Sequence, residues 1–304
     1  MTQNEPPLVS IVTPTYNMAD RLPRCVESVS TQTYPRIQHV VVDGASVDGT
    51  REYLASQPHL KWVSEPDKGQ SDALNKGFAM ADGEIVTWLN ADDILLPGAV
   101  AAVVDALRSH PDAEWVYGDL EVRRGNERWV TKPPPRIRTT TFHRGNVVSQ
   151  PGTFFTAAAL EHVGGIDADF HLTMDFELWL RFVAAGIIAV YVPLPLAAFE
   201  VHPGSKTGSQ GELAFAMEEF RALQKHGQPH AAAMAIDRWY WDETLTNLVE
   251  LLTHHRYMEA LAMAREAHSH LHPVFGRSRL FLWATLVFPP LARRLTGLKR
   301  TRRM

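Results

Sequence analysis

The sequence predicts an α/β fold: a mixed, mostly parallel sheet flanked by helices, with a C-terminal helical appendage. Three observations carry that expectation. Short apolar runs alternate with helically spaced segments over the first hundred residues, the signature of βαβ units. Asp/Gly-rich stretches follow the ends of those runs, where open α/β sheets bind ligands. Beyond Gly211 the strand pattern stops and only helical spacing continues.

Taken in order, VSIVTPTY (9–16) is an apolar, β-rich run, and residues 20–32 place Leu22, Val26 and Val29 at helical spacing. HVVVDG (39–44) reads as a second buried strand, Thr50 to Ser56 as a short helix and LKWVSE (60–65) as a third strand. Ser71 to Ala81 is expected to be helical, EIVTWLN (84–90) a fourth strand, and Pro97 to Ser109 an apolar helix. Residues 114–122 and 127–133 read as strands around an Arg-Gly-Asn turn, and the proline-rich run 133–141 as a non-helical surface crossing. Residues 152–165 read as strand then helix ending at Gly164 and Gly165, Asp175 to Ala185 as a helix, and 187–201 as two strands split by prolines. Helices are expected at 212–226, 231–254 and 256–270, which places a domain boundary near residue 210.

Composition narrows the classes. In a chain of 304 residues with 45% hydrophobic and 21% charged residues, a sizeable core is available, and disorder and collagen-like sequence are excluded. The single cysteine, Cys25, cannot form an internal disulfide, and no Cys/His spacing resembles a zinc site, so a metal would bind through oxygen or lone His ligands. The net charge of −4 hides an asymmetry: residues 267–304 hold eight Lys/Arg and no Asp or Glu, leaving −12 on the rest. The N-terminus lacks a basic segment followed by an apolar stretch, so a cytoplasmic location is expected.

Three acidic clusters sit at expected strand ends. In DGASVDGT (43–50), Gly44 and Gly49 permit tight turns, and Asp43 can accept hydrogen bonds from a base or ribose or serve an Asx turn. In WLNADD (88–93), two adjacent carboxylates beside an apolar run call for a cationic partner, such as Mg or Mn bound to a diphosphate. In LTMDFELWLRF (172–182), Asp175 and Glu177 face different sides of a helix. Asp175 can act as a general base or an N-cap, and Glu177 can pair with Arg181 at i+4.

These stretches, in order with VSIVTPTYN, SEPDKGQSDALNKG, SQPGTFF, GGIDADFHLTMDFELWLRF and VHPGSKT, resemble the family 2 nucleotide-sugar glycosyltransferases, which have the GT-A, Rossmann-like fold and invert configuration. The resemblance covers roughly residues 8–208. It implies a UDP-sugar donor bound by residues 1–97 and an acceptor bound by 98–210, a glycan or a lipid-linked hydroxyl in cell-surface polysaccharide synthesis. It implies a nucleotide site at Thr13, Pro14, Tyr16, Asn17, Asp43 and Gly44, and a donor loop with Lys68, Gly69 and Asp72. Asn90 and Asp92 would also contact the donor, and Asp93 would ligate Mn or Mg, with His202 as a second metal or phosphate ligand. Lys206 would offset charge on the leaving UDP; Asp175 would be the base, and Gln150, Glu177 and Trp179 would lie on the acceptor side.

Departures from the family pattern are Asn90 at the first position of the DXD motif, Met174 where Glu is common, and Glu200 where Arg is common. A nucleotidyltransferase would call for a Gly/Arg/Lys-rich triphosphate loop, which VTPTYNMADR lacks; a non-catalytic sugar-nucleotide-binding or scaffold subunit is the other reading. The apolar run 280–288, followed by the basic end, is too short to span a bilayer. It fits a peripheral anchor, through residues 277–304, on the cytoplasmic face of the inner membrane, or equally a core helix with a solvated basic end. Nucleic acid is not an expected partner, because the body is acidic.

Overall fold

The computed structural model describes residues 5–202, 204–206, 212–229 and 231–232. The chain divides into two compact units, Met1–Gly211 and Glu212–Met304. In the second, helix α7 (Glu212–Lys225) is described; the helices expected at 231–254 and 256–270, and the apolar run and basic end, lie outside the described residues. No helix among the described residues is long and apolar enough to cross a membrane.

The first unit is built on a nine-stranded sheet. Its order is β3 (Lys61–Ser64), β2 (Ile37–Asp43), β1 (Val9–Thr15), β4 (Ile85–Trp88), β8 (Thr153–Thr156), β6 (Trp115–Arg124), β9 (Ala189–Glu200) and β5 (Ile94–Leu95), with β7 (Glu127–Thr131) paired to β6. Strands β1 to β4 are mutually parallel, and β8 runs antiparallel to both β4 and β6. Every residue of β1 and β4 is buried, which is why these strands read as unbroken apolar runs rather than alternating ones.

The helices are α1 (Leu22–Ser30), α2 (Thr50–Ala55), α3 (Gln70–Met80), α4 (Ala99–Ser109), α5 (Ala157–Val163) and α6 (Met174–Ala184). Helix α3 crosses β1 and β2 at Gly77, where a Cβ would stand 2.2 Å from Val12 Cγ1 and 3.2 Å from Val42 Cγ2. Gly77→Ala is therefore expected to lose about 1–3 kcal/mol through overpacking, although alanine is the better helix former. A fall in the denaturant midpoint with an unchanged slope would report it.

Helix α6 is seated by its aromatic face. The Trp179 ring stacks against Trp115 at 5.0 Å and against Trp88 at 6.0 Å, while Phe182 packs edge-on to Phe155 and Trp115. The segment before α6 is hydrogen-bonded to α3: Asn75 Nδ2 donates to the Ile166 carbonyl at 2.8 Å, and Ile166 N–H donates to Asn75 Oδ1 at 2.9 Å. Ser71 Oγ donates to the Phe170 carbonyl at 2.7 Å and lies 3.6 Å from Met174 Sδ. The start of α3 and the segment leading into α6 thus meet.

Three expectations are corrected. The region 187–201 is one strand, β9, rather than two, because Pro193 and Pro195 fall where the β6–β9 register skips residues; a bulge needs no ladder donor there. The two-residue strand β5 is too short to show a pattern in sequence. A 3-10 helix, Thr139–Arg144, begins within the expected crossing, after its last proline at 135.

Candidate active site

The nucleotide-side loops leave the C-terminal ends of β1, β2 and β3 and are laced to one another. Asn17, in the left-handed region at φ 51, donates its backbone N–H to Ser46 Oγ at 2.7 Å and accepts Val47 N–H on Oδ1 at 3.0 Å. Tyr16 is 61% exposed at the rim, and Gly44 lies under the edge of its ring.

The residues just before them are not cleft residues. Thr13 and Pro14 are buried in β1, and Thr13 Oγ1 sits 2.9 Å from His39 Nε2. Burial holds the His39 imidazole at a pKa of about 3, hence neutral. Asp43 is likewise fully buried. Its Oδ2 accepts Ser64 Oγ at 2.6 Å and Ser46 N–H at 3.1 Å, and its Oδ1 accepts Ser46 Oγ. In this structure these bonds tie the β2 and β3 loops together.

In the donor loop, Asp72 Oδ2 accepts the Lys68 N–H at 3.1 Å and lies 3.6 Å from Lys76, while the Lys68 side chain is exposed. Gly69, at φ 109, adopts a backbone that other residues reach only with strain. Gln70 Nε2 donates to Asn90 Oδ1 at 2.6 Å and so joins this loop to the acidic motif after β4.

That motif separates its two carboxylates. Asp93 is fully buried, and Oδ2 accepts Asn90 Nδ2 at 3.0 Å. Burial, with the charge of Asp92 adding to it, pushes the Asp93 carboxyl well above the ordinary carboxylate range. Asp92 is half-buried and stands 3.0 Å from His202 Nε2, bringing together residues 110 apart in the chain. Asp93 Oδ1 is buried without a hydrogen-bond partner among the described residues, next to the Asp92–His202 pair. Asp92 and His202 present an oxygen and a nitrogen together, a donor pair that suits a divalent cation.

His202 follows β9, whose last residue is anchored to α1. Arg24 grips the Glu200 carboxylate through both guanidinium nitrogens, at 2.7 and 3.1 Å, and Arg21 lies 3.8 Å away. The hydrogen bond from Arg24 holds Glu200 below the usual carboxylate range. The basic partner absent at position 200 is thus supplied from α1. Lys206 Nζ donates to the His171 carbonyl at 2.5 Å, beside the donor loop, since a Cβ on Gly69 would lie 3.9 Å from His171 Nδ1.

Asp175 stands in the first turn of α6, half-buried, and its Oδ2 accepts Asn146 Nδ2 at 2.6 Å. The three residues expected on the acceptor side are all buried. Glu177 is fully buried and bound to Arg181 at 2.7 and 2.9 Å, the i+4 pair weighed above. Trp179 is core, with Nε1 donating to the Val148 carbonyl at 3.3 Å. Gln150 is buried and donates through Nε2 to the Trp88 carbonyl at the end of β4. Sequence reasoning missed Asn146, whose signal is the Gly-Asn pair at 145–146, and Asp67 in the donor loop.

Comparison with known proteins bears on the family and the fold. The sequence model of Glycosyl transferase family 2 matches residues 10–162. An uncharacterized glycosyltransferase of Mycobacterium tuberculosis is 38% identical over 181 residues, which are 58% of this chain and 68% of the relative. Staphylococcus aureus TarS, residues 1–349 in complex with UDP-GlcNAc, superposes with a TM-score of 0.57 at 15% identity, covering 75% of this chain and 70% of that one. A longer TarS chain is covered to only 43%. The mannosyltransferase of Pyrobaculum calidifontis in complex with GDP-Man and Mn2+ superposes with a TM-score of 0.56 at 22% identity, covering 98% and 85%. At these identities the two structures speak for the fold alone, which is GT-A.

Proposed function

The chain belongs to glycosyl transferase family 2, and from that membership and the layout of its cleft we propose that it moves a sugar from a UDP-sugar to a hydroxyl of a glycan or lipid-linked acceptor, with inversion. The observation that supports this most is the placing of the acidic residues: Asp92 stands half-buried against His202 with buried Asp93 beside it, and Asp175 stands half-buried at the start of α6, while Glu177 is buried on Arg181. One carboxylate to hold a cation against the diphosphate and one to take the acceptor's proton is what a metal-assisted single displacement needs.

In that reaction Asp175 accepts the proton of the acceptor hydroxyl as its oxygen attacks the anomeric carbon and the bond to the diphosphate breaks. Asn146 fixes the carboxylate rotamer through Oδ2. Negative charge develops on the leaving UDP, near the donor loop where Lys206 is held by His171. Among the described residues no cluster of three or more His, Cys, Asp or Glu could enclose a metal ion. The Asp92–His202 pair still fits Mn or Mg, because phosphate and water oxygens complete the shell of such ions. A bound cation would neutralise diphosphate charge; Asp92 and His202 are the residues that would hold it.

The acceptor pathway proposed is bacterial cell-surface polysaccharide synthesis at the cytoplasmic face of the membrane, with the basic segment 277–304 on the lipid surface; the apolar run 280–288 followed by a basic end supports it.

Calorimetric titration with UDP, with and without Mn, tests the donor side. Asp92→Ala is expected to lower Mn-dependent UDP affinity by about tenfold or more, the scale of losses in a metal shell. Asp93→Asn is expected to keep the Mn effect. The reverse pattern would return the ligand role to Asp93, and an absence of nucleotide binding by the folded protein would overturn the reading.

A further inference from the structure

From Arg128 to Leu160 the chain holds five Lys or Arg and no Asp or Glu, although residues 1–266 together carry −12, with 22 Lys/Arg against 34 Asp/Glu. All five cations, Arg128, Lys132, Arg136, Arg138 and Arg144, fall in β7 and the crossing that follows it. Lys132, Arg136 and Arg138 are exposed, and among the described residues no carboxylate stands within ion-pair distance of them. Arg128 lies 4.0 Å from Glu121, a carboxylate already held by Arg123 at 2.6 Å.

The crossing is pinned along its length. Three prolines, 133–135, fix its φ angles at the start, and Tyr117 Oη donates to the Pro134 carbonyl at 2.8 Å. Phe142, fully buried, packs edge-on to Phe176 with ring centres 5.8 Å apart, and Asn146 donates to the neighbouring Asp175 at 2.6 Å. Arg136 and Arg138 stand between these anchors. At a 3-10 rise of about 2 Å per residue, the Arg138 backbone is about 8 Å along the chain from Phe142.

We propose that this segment is an anion site on the acceptor side of the cleft: the acceptor carries a phosphate close to the hydroxyl that is glycosylated, and Arg136, Arg138 and Lys132 hold that phosphate while Asp175 takes the proton. This rests on the transferase reading above and narrows its acceptor. A guanidinium fork matches two phosphate oxygens, and the lysine ammonium adds a point charge. Like charges gathered on one short exposed segment repel one another, and a bound anion relieves the repulsion. The anchored backbone lowers the ordering cost of binding. A lipid surface would draw on the same charges, but the segment ends on Asn146, which holds the base, and so leads the positive charge to the reacting group.

Calorimetry of the full chain, with UDP and Mn held at saturation so that the diphosphate site is filled, compares glucose 6-phosphate with glucose. Glucose 6-phosphate is expected to bind about tenfold or more tightly than glucose, and to weaken as salt rises. The double variant Arg136→Gln/Arg138→Gln is expected to erase that advantage while UDP affinity, titrated separately, stays as in the wild type. Glucuronate is expected to bind more weakly than glucose 6-phosphate; equal affinity would overturn the assignment to phosphate. Vesicles of phosphatidylglycerol and of phosphatidylcholine supply the membrane control: a double variant that loses vesicle binding but keeps its affinity for glucose 6-phosphate would make the segment a lipid-docking face and overturn the inference. Equal affinity of the wild-type chain for glucose and glucose 6-phosphate would overturn it too, and leave the transferase reading standing. Failure of the folded protein to bind UDP would remove both.

Discussion

Asp175→Asn is expected to lower turnover by two to four powers of ten while leaving UDP affinity nearly unchanged. The amide occupies the same volume at the start of α6 and can still meet Asn146, so helix and cleft persist. What it cannot do is take a proton. The neighbouring Glu177 cannot substitute, because it is fully buried and its Oε2 is bound by Arg181 at 2.7 Å. Steady-state transfer assays, paired with UDP titration of the same preparation, separate the two effects. Transfer at the wild-type rate in Asp175→Asn would remove the base assignment; loss of UDP binding along with transfer would point to a structural part instead.

Trp179→Ala is expected to cost about 3–5 kcal/mol of folding stability, among the larger effects a single substitution produces. The ring lies between Trp88 of β4 and Trp115 of β6, at 6.0 and 5.0 Å, so its removal empties the space between the sheet and α6. The loss combines buried area, the cavity left behind and the aromatic pairs themselves. Chemical denaturation followed by tryptophan emission reports it. Had Trp179 been an acceptor residue, as its place in LTMDFELWLRF suggests, the variant would keep its stability and lose only acceptor affinity; that outcome would contradict the packing described.

The contrast between these two residues shows where sequence reading succeeds. Asp175 and Trp179 are one helical turn apart, and periodicity alone puts them on the same face without saying that one stands at the open end of the helix and the other in the core. The parallel strands were legible because burial on both sides leaves continuous apolar runs, as in VVVD of β2. Strand β9 was not, because the rule that proline interrupts a ladder is local, whereas the bulges that accommodate Pro193 and Pro195 are set by the partner β6. The chemistry of the site was legible by residue type, and the acidic motifs all lie near strand or helix ends. Which aspartate faces the cleft was not. It depends on Ser64 reaching Asp43 across 21 residues and His202 reaching Asp92 across 110, and nothing in the local sequence encodes those encounters. Gly44 is the sharpest case, because the absence of a side chain acquires meaning only once Asp67 is seen above it.

The paired hydrogen bonds between Asn75 and Ile166 bear on how such enzymes can exchange parts. A recombination point at residue 97, between the donor and acceptor stretches, would look natural in the sequence. It would nevertheless bring together an α3 and a loop that had not been matched, and the carboxamide on one parent would meet an altered backbone on the other. New acceptor preferences grafted onto this chain have to travel with the residues of α3 that hold the loop, Ser71 and Asn75 first among them, so the inheritable unit of specificity crosses the boundary that the linear order suggests.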